Sequence, residues 1–138
     1  MDENPLILVI DDDEETQAYA VDALKHCGYS ALGATTPATA LELIRTLPSL
    51  RLVLSDVELG PIRGPALIRQ ALRDRPELKV VFMTGSYTDI GVRHSDPVLA
   101  KPFHFQELCM TVRAILAAKP KSDRLAASTE RRRPPSMN

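Results

Sequence analysis

Short apolar runs recur along the chain, and three of them are continuous rather than alternating. The runs are LILVI (6–10), SALGA (30–34), LVLS (52–55), VVFM (80–83) and VLA (98–100). Continuous apolar runs of this length are typical of strands that are buried on both faces of a parallel sheet. The pattern therefore predicts five strands at these positions.

Segments with helical periodicity separate most of these runs. One begins near Glu14 and stops at Gly28, a residue suited to the left-handed position after a helix. The next has Thr36 as its predicted N-cap and Pro37 at its first helical position. Two more segments lie at about 65–75 and 106–118. The pattern predicts amphipathic helices at all four places.

The alternation of strands and helices predicts an α/β fold, with a parallel sheet between helices. Right-handed crossovers bring the carboxyl ends of all the strands to one edge of the sheet. Ligands of open parallel sheets bind at that edge, where the strand order reverses. The residues that end each strand are therefore the candidates for chemistry.

Length and composition predict a single domain. The chain has 138 residues and 44% hydrophobic content, which supports one core. Residues 119–138 lose helical periodicity and hold six basic and two acidic residues, whereas residues 1–118 hold 11 basic and 16 acidic ones. We predict a domain at 1–118, a disordered basic tail at 119–138 and no DNA-binding output domain.

The sequence predicts a cytoplasmic protein without membrane contact. No apolar stretch reaches the roughly 18 to 20 residues that span a bilayer, and the charged N-terminus lacks the apolar segment of a signal peptide. The two cysteines, Cys27 and Cys109, match no C-x-x-C metal or redox spacing. We expect them to be small buried side chains with no chemical role.

Polar residues end four of the five predicted strands. Asp11 and Asp12 follow the first strand, Asp56 ends the third, Thr84 follows the fourth and Lys101 follows the fifth. Each residue alone has an ordinary explanation as a turn former, a helix cap or a solvated charge. Because all of them lie at the same sheet edge, we expect them to meet in one pocket.

Three carboxylates in one pocket need a balancing cation. Two such charges about 4 Å apart repel by about 4 kcal/mol at an effective dielectric of about 20. Mg²⁺ binds one or two carboxylates together with water and phosphate oxygens. A carboxylate can also attack phosphorus and form an aspartyl phosphate. The set therefore predicts phosphoryl transfer with Mg²⁺.

These motifs resemble those of response-regulator receiver domains of two-component signalling, over residues 6 to about 118. The resemblance rests on Asp11-Asp12, on LSD ending at Asp56, on Thr84 followed by a small residue, and on KPF at 101–103. It implies a flavodoxin-like, doubly wound, five-stranded parallel sheet in the order 2-1-3-4-5. It also implies a signalling protein rather than an enzyme.

The resemblance assigns roles to the acidic residues. Asp56 is the implied phosphoacceptor. Asp12 is the implied direct ligand of Mg²⁺, and Asp11 binds the ion mainly through water. The backbone carbonyl of Glu58 is implied as a further ligand. Asp13 and the two acids after it are expected only to complement the positive end of the first helix.

The resemblance also assigns roles around the phosphoryl group and reveals departures. Thr84 would move toward the phosphoryl group and Lys101 would pair with it, with a cis peptide bond before Pro102. Many receivers have an aromatic residue where this chain has Val98. That trait, the short 85–97 segment and FMTGSY at 82–87 resemble the FATGUY subclass of single-domain receivers. Tyr87 is then a second switch candidate, and the fourth of the five helices is expected to be short or irregular.

The implied partners are a sensor histidine kinase or histidine phosphotransfer protein and an unknown downstream protein, unless the domain is a phosphate sink. Two other functions stay open. One is a haloacid-dehalogenase-like phosphatase, because Asp11 and Asp13 give that family's D-x-D spacing, although Glu15 departs from its motif. The other is a degenerate receiver that acts as a constitutive interaction module. Phosphoester turnover and phosphorylation assays separate these functions.

Overall fold

The computed structural model describes residues 5–85 and 97–118. Helices and strands alternate over most of this part of the chain. The strands are β1 (Leu6–Ile10), β2 (Ser30–Ala34), β3 (Leu50–Asp56), β4 (Glu58–Leu59), β5 (Ile62–Arg63), β6 (Lys79–Thr84) and β7 (Val98–Ala100). The described helices are α1 (Glu14–His26), α2 (Pro37–Thr46), α3 (Gly64–Asp74) and α4 (Phe105–Ala117).

Five strands form one parallel sheet in the order β2-β1-β3-β6-β7. Counted within this sheet, the order is 2-1-3-4-5, so the predicted flavodoxin-like fold is confirmed. The order reverses between β1 and β3. The chain after β1 continues into α1 on one face of the sheet, whereas the chain after β3 leads to α3 on the other face. The carboxyl ends of these two strands therefore flank the crevice in which ligands of such sheets bind.

The core lies on both faces of the sheet, as continuous apolar strands require. Successive residues of β1 point to opposite faces. Ile7 packs with the apolar cluster under α1 and α4, whereas Leu8 packs with the cluster under α2 and α3. Both residues are completely buried. Burial of each such side chain contributes roughly 1.5–3 kcal/mol. The sheet is thus a rigid platform for the loops at its edge.

Local signals set the helix ends much as predicted. The Oγ1 atom of Thr36 accepts a hydrogen bond from the backbone N–H of Thr39 at 3.2 Å, and Pro37 begins α2. Gly28 follows α1 with φ +97°, which is the left-handed conformation that favours glycine. The predicted irregular helix and Tyr87 lie outside the described residues, as does the 119–138 tail.

Two features differ from the sequence-based picture. A small antiparallel hairpin of β4 and β5 follows β3, with Gly60 in its turn at φ +78°. Strands of two residues are too short to produce a periodic pattern, so no such pattern indicated them. The expectation that Cys27 and Cys109 have no chemical role is also corrected, because the two residues form a disulfide between α1 and α4. None of the described helices is both long enough and apolar enough to cross a bilayer.

Candidate functional site

The strand ends meet as the topology requires. Asp11 directly follows β1, Asp56 ends β3, Thr84 ends β6 and Lys101 directly follows β7. Asp11, Asp56 and Thr84 are buried, with relative exposures of 0%, 8% and 5%. Burial of polar side chains is costly unless each finds a partner. The sheet edge therefore holds an organised polar site.

Three carboxylates converge at this edge. Asp11, Asp12 and Asp56 each offer an oxygen, and these oxygens all lie within 4.8 Å of one another. Asp12 is exposed, while the other two side chains are buried. The predicted clustering of these acids is thus found in the geometry.

Lys101 neutralises part of this charge. Its Nζ atom lies 2.8 Å from Oδ2 of Asp11 and 3.1 Å from Oδ2 of Asp56. The peptide bond between Lys101 and Pro102 is cis, as expected from the resemblance. A single ammonium group faces three carboxylates, so the cluster formed by these four residues remains negative.

The ionisation of both members of the Lys101–Asp56 pair is shifted. Burial raises the pKa of Asp56, and the hydrogen bonds from the Glu58 amide and from Lys101 only partly offset this effect. Burial alone lowers the pKa of Lys101, but its hydrogen bonds and Coulombic attraction to Asp11 and Asp56 together raise that pKa. Lys101 is therefore held in its charged form, while ionised Asp56 carries a desolvation cost.

The desolvation cost of ionised Asp56 predicts how the free energy of unfolding depends on pH. In the presence of a chelator we expect an Asp56→Asn variant to be more stable than wild type at neutral pH. Because the folded pKa of Asp56 is raised, the folded state binds the proton more tightly than the unfolded state. The wild type should therefore gain stability relative to the variant as the pH falls through the raised pKa toward 3.8.

Urea denaturation of both proteins between about pH 7 and pH 4 measures this effect. A difference in the free energy of unfolding that stays constant with pH would contradict the assignment of the desolvation cost to Asp56. Mg²⁺ in place of the chelator should reduce the difference at neutral pH, since the cation offsets the buried negative charge.

The oxygen atoms of the cluster suit a hard divalent cation. Oδ2 of Asp11 is fully buried, and the Lys101 ammonium lies 2.8 Å from it. The other oxygen, Oδ1, accepts a hydrogen bond from the backbone N–H of Asp13 at 2.9 Å. Because a single ammonium group is shared between the buried carboxylates of Asp11 and Asp56, their negative charge is only partly balanced, and a bound cation would relieve the remainder. The residues present therefore fit a bound divalent metal ion.

The backbone behind Asp56 is fixed by close packing. The Ser55 hydroxyl donates a hydrogen bond to the Asp56 carbonyl at 2.9 Å. Gly64 lies directly against the same carbonyl, and its N–H donates to the Val57 carbonyl at 2.6 Å. A Cβ atom on Gly64 would collide with the Asp56 carbonyl oxygen. Gly64 was not singled out by sequence reasoning, because a glycine before a proline reads simply as a helix start.

The site opens into a cleft of about 570 Å³. Its lining comprises the acidic residues Asp12, Asp56 and Glu58, the basic residues Arg63 and Lys101, and also Gly60, Thr84 and Gly85. Arg63 is a second residue that sequence reasoning missed. It stands on β5 opposite Glu58 of β4, and only the hairpin brings it to the cleft.

The remaining candidate residues occupy different positions. Glu58 lines the cleft, and its backbone N–H donates to Oδ1 of Asp56 at 3.2 Å, while a role for its carbonyl stays a prediction. Val98 begins β7 and packs against the apolar cluster under α2 and α3. Its role in switching also stays a prediction.

Comparison with known proteins identifies the family. The family model of the response regulator receiver domain matches residues 7–113. The chain belongs to this family. The family predicted from the strand-end motifs, and with it a place in two-component signalling, is therefore confirmed.

Relatives of the receiver domain differ in total length. The response regulator receiver protein CpdR of Brucella abortus (strain 2308) is 31% identical over 117 residues, which cover 81% of this chain and 97% of CpdR. The sensor kinase CckA of the same strain is 29% identical over 116 residues, which cover 80% of this chain but 12% of the kinase. A receiver protein structure from Sinorhizobium medicae WSM419 superposes with a TM-score of 0.74 at 24% identity, covering 84% of this chain and 97% of that one. The last comparison supports the fold.

Proposed function

We propose that this receiver domain accepts a phosphoryl group on Asp56 from a histidine kinase or a histidine phosphotransfer protein. One observation carries the proposal. The Asp56 carboxylate lies 3.1 Å from the ammonium group of Lys101, and one of its oxygens lies within 4.8 Å of an oxygen of Asp11 and of one of Asp12. A nucleophile, an acidic metal site and a fixed cation are thus combined at one edge of the sheet.

The residues suited to hold Mg²⁺ are Asp11, Asp12, Asp56 and the backbone carbonyl of Glu58. When bound, the ion supplies positive charge to the phosphoryl oxygens and reduces the repulsion between the carboxylates. Asp11 is held in place by the Asp13 amide, and its other oxygen is buried beside the Lys101 ammonium. Asp12 is exposed and can therefore exchange its hydration water for a metal ion.

The proposed step moves one phosphoryl group between two residues. An Asp56 carboxylate oxygen attacks the phosphorus of phosphohistidine, and an acyl phosphate bond forms while the phosphorus–nitrogen bond breaks. The electron pair of that bond returns to the imidazole nitrogen. Lys101 keeps its proton, since its pKa is raised, and neutralises charge on the transferred oxygens. In this proposal Thr84, which lines the same cleft, donates its hydroxyl to a phosphoryl oxygen.

Phosphorylation adds about 1.5 to 2 negative charges at the site. Those charges would compete with Asp11 for Lys101 and would attract the hydroxyl of Thr84. We propose that this rearrangement biases the neighbouring segment at 84–98, with Tyr87 and Val98 as the switch residues, and so changes the surface offered to a partner protein. The proposal includes a cytoplasmic receiver domain at 1–118, followed by a basic segment at 119–138.

A phosphatase of the haloacid-dehalogenase type is less well supported. Its motif would need Asp13 as the second acid of the site. The Asp13 carboxylate instead accepts a hydrogen bond from the Thr16 hydroxyl at 2.6 Å, at the start of α1. Its exposed position there matches the expected complement of the helix end.

Metal removal tests the proposed chemistry. Incubation of the protein with acetyl phosphate and Mg²⁺ should add one phosphoryl group to the intact mass. Replacement of Mg²⁺ with excess chelator should prevent this gain, because three carboxylates then repel the anionic donor. Intact-mass spectrometry with a known receiver as the positive control gives the measurement.

Two results would argue for another function. An unchanged mass under conditions that phosphorylate the control receiver would favour a constitutive interaction module. Steady release of phosphate from many phosphoesters that survives Asp56→Asn but is lost in Asp11→Asn would favour the phosphatase.

Arg63 offers a way to separate donor binding from metal binding. Because Arg63 adds positive charge to the cleft, Arg63→Ala should raise the half-saturating concentration of acetyl phosphate about two- to fivefold, as expected for one screened charge contact. The same change should strengthen Mg²⁺ binding, since a repelling charge is lost. Phosphorylation kinetics and calorimetric titration with Mg²⁺ measure the two effects.

The matched control is Arg51→Ala. Arg51 is exposed near the amino end of β3, at the opposite edge of the sheet from Asp56. This variant should leave both quantities unchanged. Equal changes in the two variants would show that total charge matters and that the position of Arg63 does not.

A further inference from the structure

Two cysteines far apart in sequence meet between two helices. Cys27 follows the last residue of α1, and Cys109 lies in the second turn of α4. Their Cα atoms are 6.2 Å apart, within the range of about 4.4–6.8 Å that a disulfide bridges, and the sulfur atoms are bonded. The bond joins residues separated by 82 positions. The pairing arises because α1 and α4 pack side by side on one face of the sheet.

The two sulfur sites differ in accessibility. Cys27 is partly exposed at the end of its helix, whereas Cys109 is 7% exposed and packs against α1. The Sγ atom of Cys109 lies 3.8 Å from the Ala23 carbonyl oxygen. An exposed thiol beside a buried one is the arrangement in which a small oxidant reaches the first and the second then completes a disulfide.

We propose that Cys27 and Cys109 form a reversible oxidation site for a hydroperoxide. The Cys27 thiolate attacks one oxygen of hydrogen peroxide, the oxygen–oxygen bond breaks, and the second oxygen leaves as water after it takes up a proton. The resulting sulfenic acid is attacked by the sulfur of Cys109. A disulfide forms and a second water is released. Two thiols thus lose two electrons in total, and one peroxide is reduced to two waters.

A dithiol reductant reverses the reaction. It attacks the disulfide through its thiolate, forms a mixed disulfide, and leaves as its own disulfide once both protein thiols are restored. Pairs of this kind in reducing compartments are usually transient rather than permanent cross-links. The accessible sulfur of Cys27 is the point of attack.

The cross-link has a structural consequence near the phosphorylation site. Tyr19 of α1 packs against Phe103, with ring centroids 6.0 Å apart, and its hydroxyl donates to the Phe103 carbonyl at 3.3 Å. Phe103 is two residues beyond Lys101. Oxidation would therefore add a covalent bond to a helix pair that already contacts the segment that carries Lys101. The oxidised form should resist thermal unfolding more than the reduced form, because the unfolded chain loses a long loop.

The test compares wild type with Cys27→Ser and Cys109→Ser. Each protein is reduced, exposed to hydrogen peroxide and then alkylated, and its mass and non-reducing peptide map are recorded. We expect oxidised wild type to lose two hydrogens, to take up no alkyl groups and to yield one peptide pair that contains both cysteines. Thioredoxin should restore two alkylatable thiols in the folded protein. Oxidation should raise the thermal midpoint of wild type and leave that of both variants unchanged.

Several results would overturn the proposal. Two alkylatable thiols after peroxide treatment would show that the pair does not oxidise. Disulfide-linked dimers instead of an internal cross-link would show that the cysteines react between molecules. A cross-link that thioredoxin cannot open in the folded protein would make the pair a permanent structural bond. The mass and peptide map of wild type decide these points even if a variant fails to fold, and they do not depend on phosphorylation of Asp56.

Discussion

An Asp56→Asn variant should gain no phosphoryl group from acetyl phosphate with Mg²⁺, whereas wild type should gain one. The amide is nearly the same size as the carboxylate but has no anionic oxygen to attack phosphorus. It also removes one of the three negative charges that converge at the site. The expected effect is complete loss of the mass gain, which is the largest change predicted for any single residue here.

The control for this experiment is Asp74→Asn. Asp74 is exposed at the last residue of α3, away from the sheet edge that carries Asp56. This variant makes the same chemical change and should be phosphorylated like wild type. A mass gain that persists in Asp56→Asn would place the phosphoryl group on another residue and refute the assignment. Circular dichroism of each variant establishes that the fold is retained.

Much of this site could be predicted from the sequence, because topology does most of the positioning. Asp11, Asp56 and Lys101 each lie where a recognisable strand ends. Once the chain is read as a parallel sheet, those ends must share one edge. Burial of the strands makes the apolar runs easy to recognise, and the helix-start signals at Thr36 and Pro37 were equally clear.

Other features depend on contacts in the folded structure that no local sequence pattern predicts. The contact between Cys27 and Cys109 depends on how α1 and α4 pack, and their spacing of 82 residues resembles no motif. Arg63 reaches the cleft only because a hairpin of two-residue strands turns at Gly60. Such close approaches arise from tertiary packing, so periodicity and propensity carry little information about them.

Gly64→Ala should damage both stability and phosphorylation, since Gly64 allows the chain to pass directly behind Asp56. An added Cβ would lie far inside contact distance of the Asp56 carbonyl oxygen, and it would also meet the Asp56 carbonyl carbon and the Ser55 hydroxyl. Two of these three neighbours are backbone atoms of a buried strand, so they cannot rotate away. We expect a loss of about 1–3 kcal/mol in the free energy of unfolding, as for other overpacked sites.

The backbone movement that relieves this collision should also displace the Asp56 carboxylate, which is the proposed nucleophile. A displacement of roughly 1 Å at a reacting group can cost about 100-fold in rate, so Gly64→Ala should phosphorylate far more slowly than its stability loss alone implies. Gly85→Ala is the control for stability, because a Cβ there meets nothing within 4 Å among the described residues. Urea denaturation and the initial rate of mass gain give the two measurements. If Gly64→Ala were as stable and as reactive as wild type, the backbone contact behind Asp56 would have no part in holding the phosphoacceptor in place.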